Sequence, residues 1–218
     1  MLELLIITVF AVLAYRHTTV HNDEFADKSR RIGDKVGRLW DIAHYSMREN
    51  RFLRAEKALL TILKIDEKNA AAYNRLGILY AKQKEYRDAI DCFEIASSIE
   101  ATQSSLHNLG LIYYETENYD KAAVAFEQAL KLEDNLAARH VAYAKVQEKL
   151  GNIKLMFYEL EKAAELEPNI ETLTLLLKGY KSHMMASQAD IIADRISRLK
   201  TPVNKPKRML RPARRVVV

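Results

Sequence analysis

LGILYAKQKEYRDAIDCFEIA at residues 76–96 and LGLIYYETENYDKAAVAFEQA at 109–129 are one pattern written twice, 33 residues apart. Both open on Leu-Gly, place Tyr four residues after the Leu, and close on Ala, Phe and Ala at spacings of three and four. Sliding the whole chain against itself extends the match outward at separations of 34, 33 and 34 residues, the length of a helix-turn-helix repeat unit. One column then reads Ile42, Leu76, Leu109, Tyr143, and its neighbour reads Ala43, Gly77, Gly110, Ala144.

In the second half of each unit the columns are Ala55, Ala89, Ala122, Met156, then Leu59, Phe93, Phe126, Leu160, then Ile62, Ala96, Ala129, Ala163. Spacings of three or four hold these groups on one stripe of a helix. Two helices of a hairpin approach closely only where one side chain is small, and a bulky neighbour fills the adjacent gap. A large residue at Gly77 or Ala122 is therefore expected to wedge its hairpin open.

The Leu-Gly, Tyr, Ala, aromatic and Ala positions of 76–96 and 109–129 resemble the tetratricopeptide repeat. The flanking units, 36–69 and 137–170, match less closely: Ile42-Ala43 and Tyr143-Ala144 replace Leu-Gly, and the closing Pro of the family appears only as Pro168. Outer repeats are expected to degenerate because they face water on one side. The family's Trp column holds Leu39, Tyr73, Leu106 and His140, so Trp40 lies one place off it. Beyond Pro168, apolar residues at helical spacing predict a further pair at about 171–182 and 187–199. The resemblance implies an all-α fold, a right-handed helical solenoid of four repeats plus a C-terminal capping helix pair, spanning 36–200.

Composition agrees with a helical body, since only 6 Gly and 4 Pro serve 218 residues. Of the net +5, seven positive charges fall in 200–218, so residues 1–199 carry −2. The single cysteine, Cys92, can form no internal disulfide and reads as a packed helix residue. Residues 1–15, MLELLIITVFAVLAY, form an apolar run broken only by Glu3, expected to be an uncleaved membrane anchor, with packing on the repeat body or on a partner as the alternative. As a helix the run is about 22 Å long, short of a ~30 Å hydrocarbon layer. Arg16, Lys28, Arg30, Arg31 and Lys35 follow it, which orients the repeats towards the cytoplasm by the positive-inside rule. A soluble cytoplasmic protein is the alternative. Residues 16–35 read as a linker, helical from about residue 22, and 201–218 as an unfolded basic tail. MLELL ahead of an apolar helix and repeats also resembles bacterial membrane-anchored tetratricopeptide regulators of lipopolysaccharide assembly, without their cysteine-rich metal module.

The family analogy places the inward positions at the second, fifth, ninth and twelfth residues of each unit. The expected partner-binding set is Trp40, His44, Met47, Asn74, Ile78, His107, Leu111, Tyr114 and Lys145, a mixture of apolar, aromatic and polar groups suited to an amphipathic helix or extended peptide. Some family members grip terminal carboxylates with Lys and Asn at the fifth and ninth positions; here those places hold Trp40 with His44, Asn74 with Ile78, and His107 with Leu111, so that clamp is absent. No phosphate-binding, metal-ligating or nucleophile motif occurs, so the expectation is a protein-binding scaffold with no catalytic residues, metal or cofactor. In the tail, Lys205, Lys207, Arg208, Arg211, Arg214 and Arg215 would meet anionic lipid before nucleic acid, if the anchor holds the protein at a membrane surface.

Overall fold

The computed structural model describes residues 28–200, and every regular element among them is an α-helix. Helix α1 runs over 28–48. It is followed by α2 (Phe52–Ile65), α3 (Ala70–Gln83), α4 (Tyr86–Ile99), α5 (Gln103–Glu115), α6 (Tyr119–Leu132), α7 (Ala137–Lys149), α8 (Ile153–Leu166), α9 (Ile170–Ser182) and α10 (Ala186–Lys200). Consecutive helices pair into five hairpins, which includes the capping pair expected from the sequence. Residues 28–35 are already helical and continue into α1. The apolar run at 1–15 and the basic tail at 201–218 lie outside the described residues.

Each hairpin turns on one residue in the left-handed backbone region: Asn50, Lys84, Glu117, Gly151 and Met184, with φ between 54° and 76°. Such a residue stops the first helix and redirects the chain within two or three positions. Several starts are capped by side chains. Asn69 accepts from the Ala72 amide at 2.9 Å and Asn169 from the Thr172 amide at 2.9 Å, and Thr102 with Ser105 forms a reciprocal capping box.

The chain divides into two compact units, one ending at Leu132 and one beginning at Glu133. In the first, the core gathers Ala43, Ala55, Leu59, Ile62, Leu76 and Leu79, all essentially inaccessible. In the second, it gathers Met156, Leu160, Leu173, Leu176, Tyr180 and Ile192.

The large and small columns of the sequence meet inside the hairpins. A β-carbon on Gly77 would stand 2.6 Å from the Phe93 ring, and one on Gly110 would stand 2.9 Å from the Phe126 ring. Where the small position is Ala43 or Ala144, the facing column carries Leu59 or Leu160 instead of Phe, so the volume of each pair is roughly conserved. The expected wedging at Gly77 follows directly from this geometry.

Successive hairpins within a unit are also tied by tyrosines. Tyr80 donates its hydroxyl to Glu56 at 2.8 Å, Tyr113 to Glu94, and Tyr180 to Glu161. In the fourth hairpin this column holds Gln147, whose carbonyl accepts from Asn152 of the same hairpin at 2.8 Å. Burial first, and then the carboxylate partner, push the three phenols well above the usual tyrosine range.

Candidate protein-binding face

In the first unit the opening helices of successive hairpins, α1, α3 and α5, present adjacent faces. On α1, Asp41, His44, Tyr45 and Arg48 are spaced at three, four and seven and share one side; on α3, Arg75, Ile78 and Lys82 do the same. Together with Met47 they line an open pocket of about 610 Å³. Asn108 on α5 donates to the Asn74 carbonyl on α3 at 3.1 Å, which ties the next pair of faces in register. Leu111, 39% exposed, and half-buried Tyr114 continue the surface along α5.

The expected partner-binding residues separate into distinct environments. His44, Asn74, Ile78, Leu111 and Tyr114 fall on this surface and remain at least partly accessible. Trp40 is half-buried: its ring stacks on His44 with centroids 5.6 Å apart, and its other side rests on the core of the first unit. Met47 sits between the two. It belongs to that core at 6% exposure and also lines the pocket. His107 packs edge-on against Phe126 of its own hairpin at 5.4 Å, so its ring is directed into the hairpin interior. Tyr114 meets Tyr119 edge to face at 5.6 Å. Lys145 lies on α7 in the second unit, exposed beside a small cavity of about 150 Å³ that Val141, Glu148 and Lys178 also line. The six tail cations are outside the described residues.

Arg48, Arg75 and Lys82 are the residues that sequence reasoning missed. Their columns were visible, but that cations from two helices converge on one pocket depends on the register of α1 against α3. Among the described residues none of the three is paired with a carboxylate.

A second departure from the repeat pattern lies in the second unit. His140 and Glu159, both 5% exposed, are joined by a 2.6 Å contact between Nδ1 and a carboxylate oxygen, while the Nε2 atom lies 2.8 Å from the Asp134 carbonyl. The same two columns hold Leu39 with Ala58, Tyr73 with Cys92, and Leu106 with Ala125 in the first three hairpins. The hydrogen bond to Glu159 raises the imidazole above its ordinary range; burial partly opposes it, and the Asp134 carbonyl adds to it. Next to it Arg139, 2% exposed, donates to the Glu133 carbonyl and lies 3.7 Å from the Glu133 carboxylate. No group of three or more potential metal ligands occurs among the described residues. Cys92 is half-buried, and burial, then Asp88 and Asp91, push its thiol up to about 11.

Family models of the tetratricopeptide repeat match residues 70–100 and 104–136, so the chain carries such repeats. Among solved structures it is similar to that of the MamA protein, at TM-score 0.68 and 18% identity over 76% of this chain and 92% of that one. It also resembles YrrB, described as a TPR protein with an unusual peptide-binding site, at TM-score 0.63 and 18% identity over 74% and 84% of the two chains. A third similar structure is pilF of Pseudomonas aeruginosa, at TM-score 0.62 and 22% identity over 73% of each chain. At these identities the likeness concerns the fold. Comparison with curated protein sequences gives no significant match.

Proposed function

We propose that this protein is a non-catalytic scaffold that holds a partner peptide or helix on the α1, α3 and α5 face of its first unit. The observation that carries this reading is the exposure of Leu111 beside Tyr114 and Ile78 on neighbouring opening helices, while the apolar columns inside each hairpin are sealed. Aromatic and aliphatic groups left open beside polar ones are the usual composition of a recognition surface. The peptide-binding site ascribed to YrrB supports the same use of a similar fold. The test is crosslinking capture with wild type and a Tyr114→Glu variant whose circular dichroism is unchanged. A partner lost in the variant is expected; a partner retained in full would move recognition off this face.

Tethering to a membrane by residues 1–15, with the repeats facing the cytoplasm, is part of the same proposal. It is supported by the apolar run and by the positive charges that follow it. Among the described residues no helix is long and apolar enough to cross a membrane, so the tether rests on 1–15 alone. Sedimentation with membranes after high-salt washing is expected, and full recovery in the supernatant would remove this part. A second reading gives the basic tail contacts with anionic lipid or nucleic acid, supported by its six cations in 201–218 and the absence there of any acid. It predicts salt-sensitive binding that disappears when 201–218 is deleted.

A further inference from the structure

We infer that the partner segment received between α1 and α3 is acidic, its carboxylates drawn to Arg48, Arg75 and Lys82 and its apolar side chains resting on Leu111 and Tyr114. This rests on the peptide-binding reading above and specifies the chemistry of the peptide.

Three observations support it. Arg48, Arg75 and Lys82 converge on one open pocket of about 610 Å³, against a single acid, Asp41. None of the three cations has a carboxylate partner among the described residues. The excess positive charge is also confined to this end of the face. The columns of Arg75, Ile78 and Lys82 become Asn108, Leu111 and Glu115 on α5, so the two cations of α3 give way there to an amide and an acid on either side of an exposed leucine. A segment with carboxylates at one end and a bulky apolar residue at the other complements that order.

Charge complementarity of this kind sets register and encounter rate, and exposed guanidinium groups add bidentate geometry towards carboxylates. Nucleic acid is disfavoured because residues 1–199 carry net −2 and the cations form a cluster rather than the extended basic stripe that tracks a phosphate backbone. The three cations stand outside the fifth and ninth positions, where the family's own carboxylate-gripping residues would be, so the pocket is a separate arrangement.

The experiment is selection of a random phage-displayed dodecapeptide library on the full-length protein. The selected peptides are then synthesised and titrated, and Trp40, the single tryptophan, serves as reporter through its stack on His44. Expected are peptides rich in Asp and Glu with an apolar residue, bound more weakly at high salt. They should lose roughly tenfold or more in affinity to an Arg75→Glu/Lys82→Glu variant, because attraction is exchanged for repulsion. They should bind as well as wild type to a Lys57→Glu/Lys64→Glu variant, which alters a different pocket on α2. Circular dichroism of each variant excludes misfolding as the cause. Selected peptides without acids, lost in Tyr114→Glu but indifferent to the charge reversal, would overturn the acidic partner and leave the groove reading intact. Failure to enrich any peptide, or binding indifferent to Tyr114→Glu as well, would overturn both. Tighter binding of a single-stranded oligonucleotide than of any selected peptide, lost on the same charge reversal, would assign the cations to phosphate.

Discussion

Phe93 occupies the space that Gly77 leaves: a β-carbon at residue 77 would lie 2.6 Å from its ring. The ring is 1% exposed and cannot swing into solvent. Gly77→Ala therefore gains about 1 kcal/mol of helix propensity but is expected to lose more to overpacking, for a net loss of about 1–2 kcal/mol. The double variant Gly77→Ala/Phe93→Leu copies the Ala43 and Leu59 pair of the first hairpin. It should be more stable than either single change implies by addition. Gly33 and Gly37 on α1 have nothing within 4 Å of a built β-carbon, so Ala at either should raise stability by about 0.5–1 kcal/mol. Urea denaturation of the five variants decides all of this.

Four of the five hairpin turns place a side chain other than hydrogen in the left-handed region. Glycine there removes the β-carbon strain, though it also loosens the unfolded chain. Lys84→Gly and Met184→Gly are each expected to stabilise by about 0.5–1 kcal/mol, and Met184, 93% exposed, has no packing to lose. Gly151→Ala, at φ 76°, should destabilise by about 1 kcal/mol. Melting temperatures that move the opposite way would show that these turns are held by their surroundings.

The His140 and Glu159 pair makes the second unit sensitive to pH. Because the folded imidazole titrates above its unfolded value, its contribution is fully present below about pH 6.5 and is lost as pH rises through the folded value. Chemical denaturation at pH 6 and pH 9 should show the second unit less stable at the higher pH. Glu159→Ala alone is expected to cost about 3 kcal/mol at pH 6, since it leaves a buried imidazolium without its partner. His140→Leu with Glu159→Ala, the pair found in the third hairpin, should restore stability to near or above wild type and abolish this pH dependence.

With its thiol pushed up to about 11, Cys92 is almost wholly protonated at pH 8, and the thiolate is the reactive form. Reaction with a disulfide reagent should run on the order of 100-fold slower than for an unstructured thiol in the native protein. It should become fast in denaturant. Rapid labelling of the folded chain would place Cys92 outside the packing described.

The hairpins, their lengths and the capping pair were legible because the repeat fixes which columns are large and which small, and a column such as Leu59, Phe93, Phe126, Leu160 can only be a buried stripe. Pairing across a hairpin was legible too: Gly77 against Phe93 is a statement about volume, and volume is written in the side chain. The pocket was not. Arg48 and Lys82 occupy equivalent places in their repeats, yet they face the same cavity as Arg75 only through the register of two helices about 30 residues apart in sequence. The depth of Met47 and His107 was hidden for a related reason. Family positions assign a side chain to a face, but a few tens of degrees of helix rotation decide whether a long side chain points outward or is drawn into its own hairpin. The His140 and Glu159 pair was half visible, as a histidine in an apolar column whose partner lay unremarked in the next helix.

The pairing of ring with hydrogen and branched chain with methyl gives this protein a grain. Whole hairpins could be exchanged, duplicated or deleted at the loops between them, because each brings its own matched notch and plug. A cut at the turn, joining the opening helix of one hairpin to the closing helix of another, would set Phe93 against Ala43 or Leu59 against Gly77, a collision in one hybrid and a void in the other. Recombination that preserves the fold is therefore permitted at the loops between hairpins and penalised at a turn wherever it joins a glycine hairpin to an alanine one.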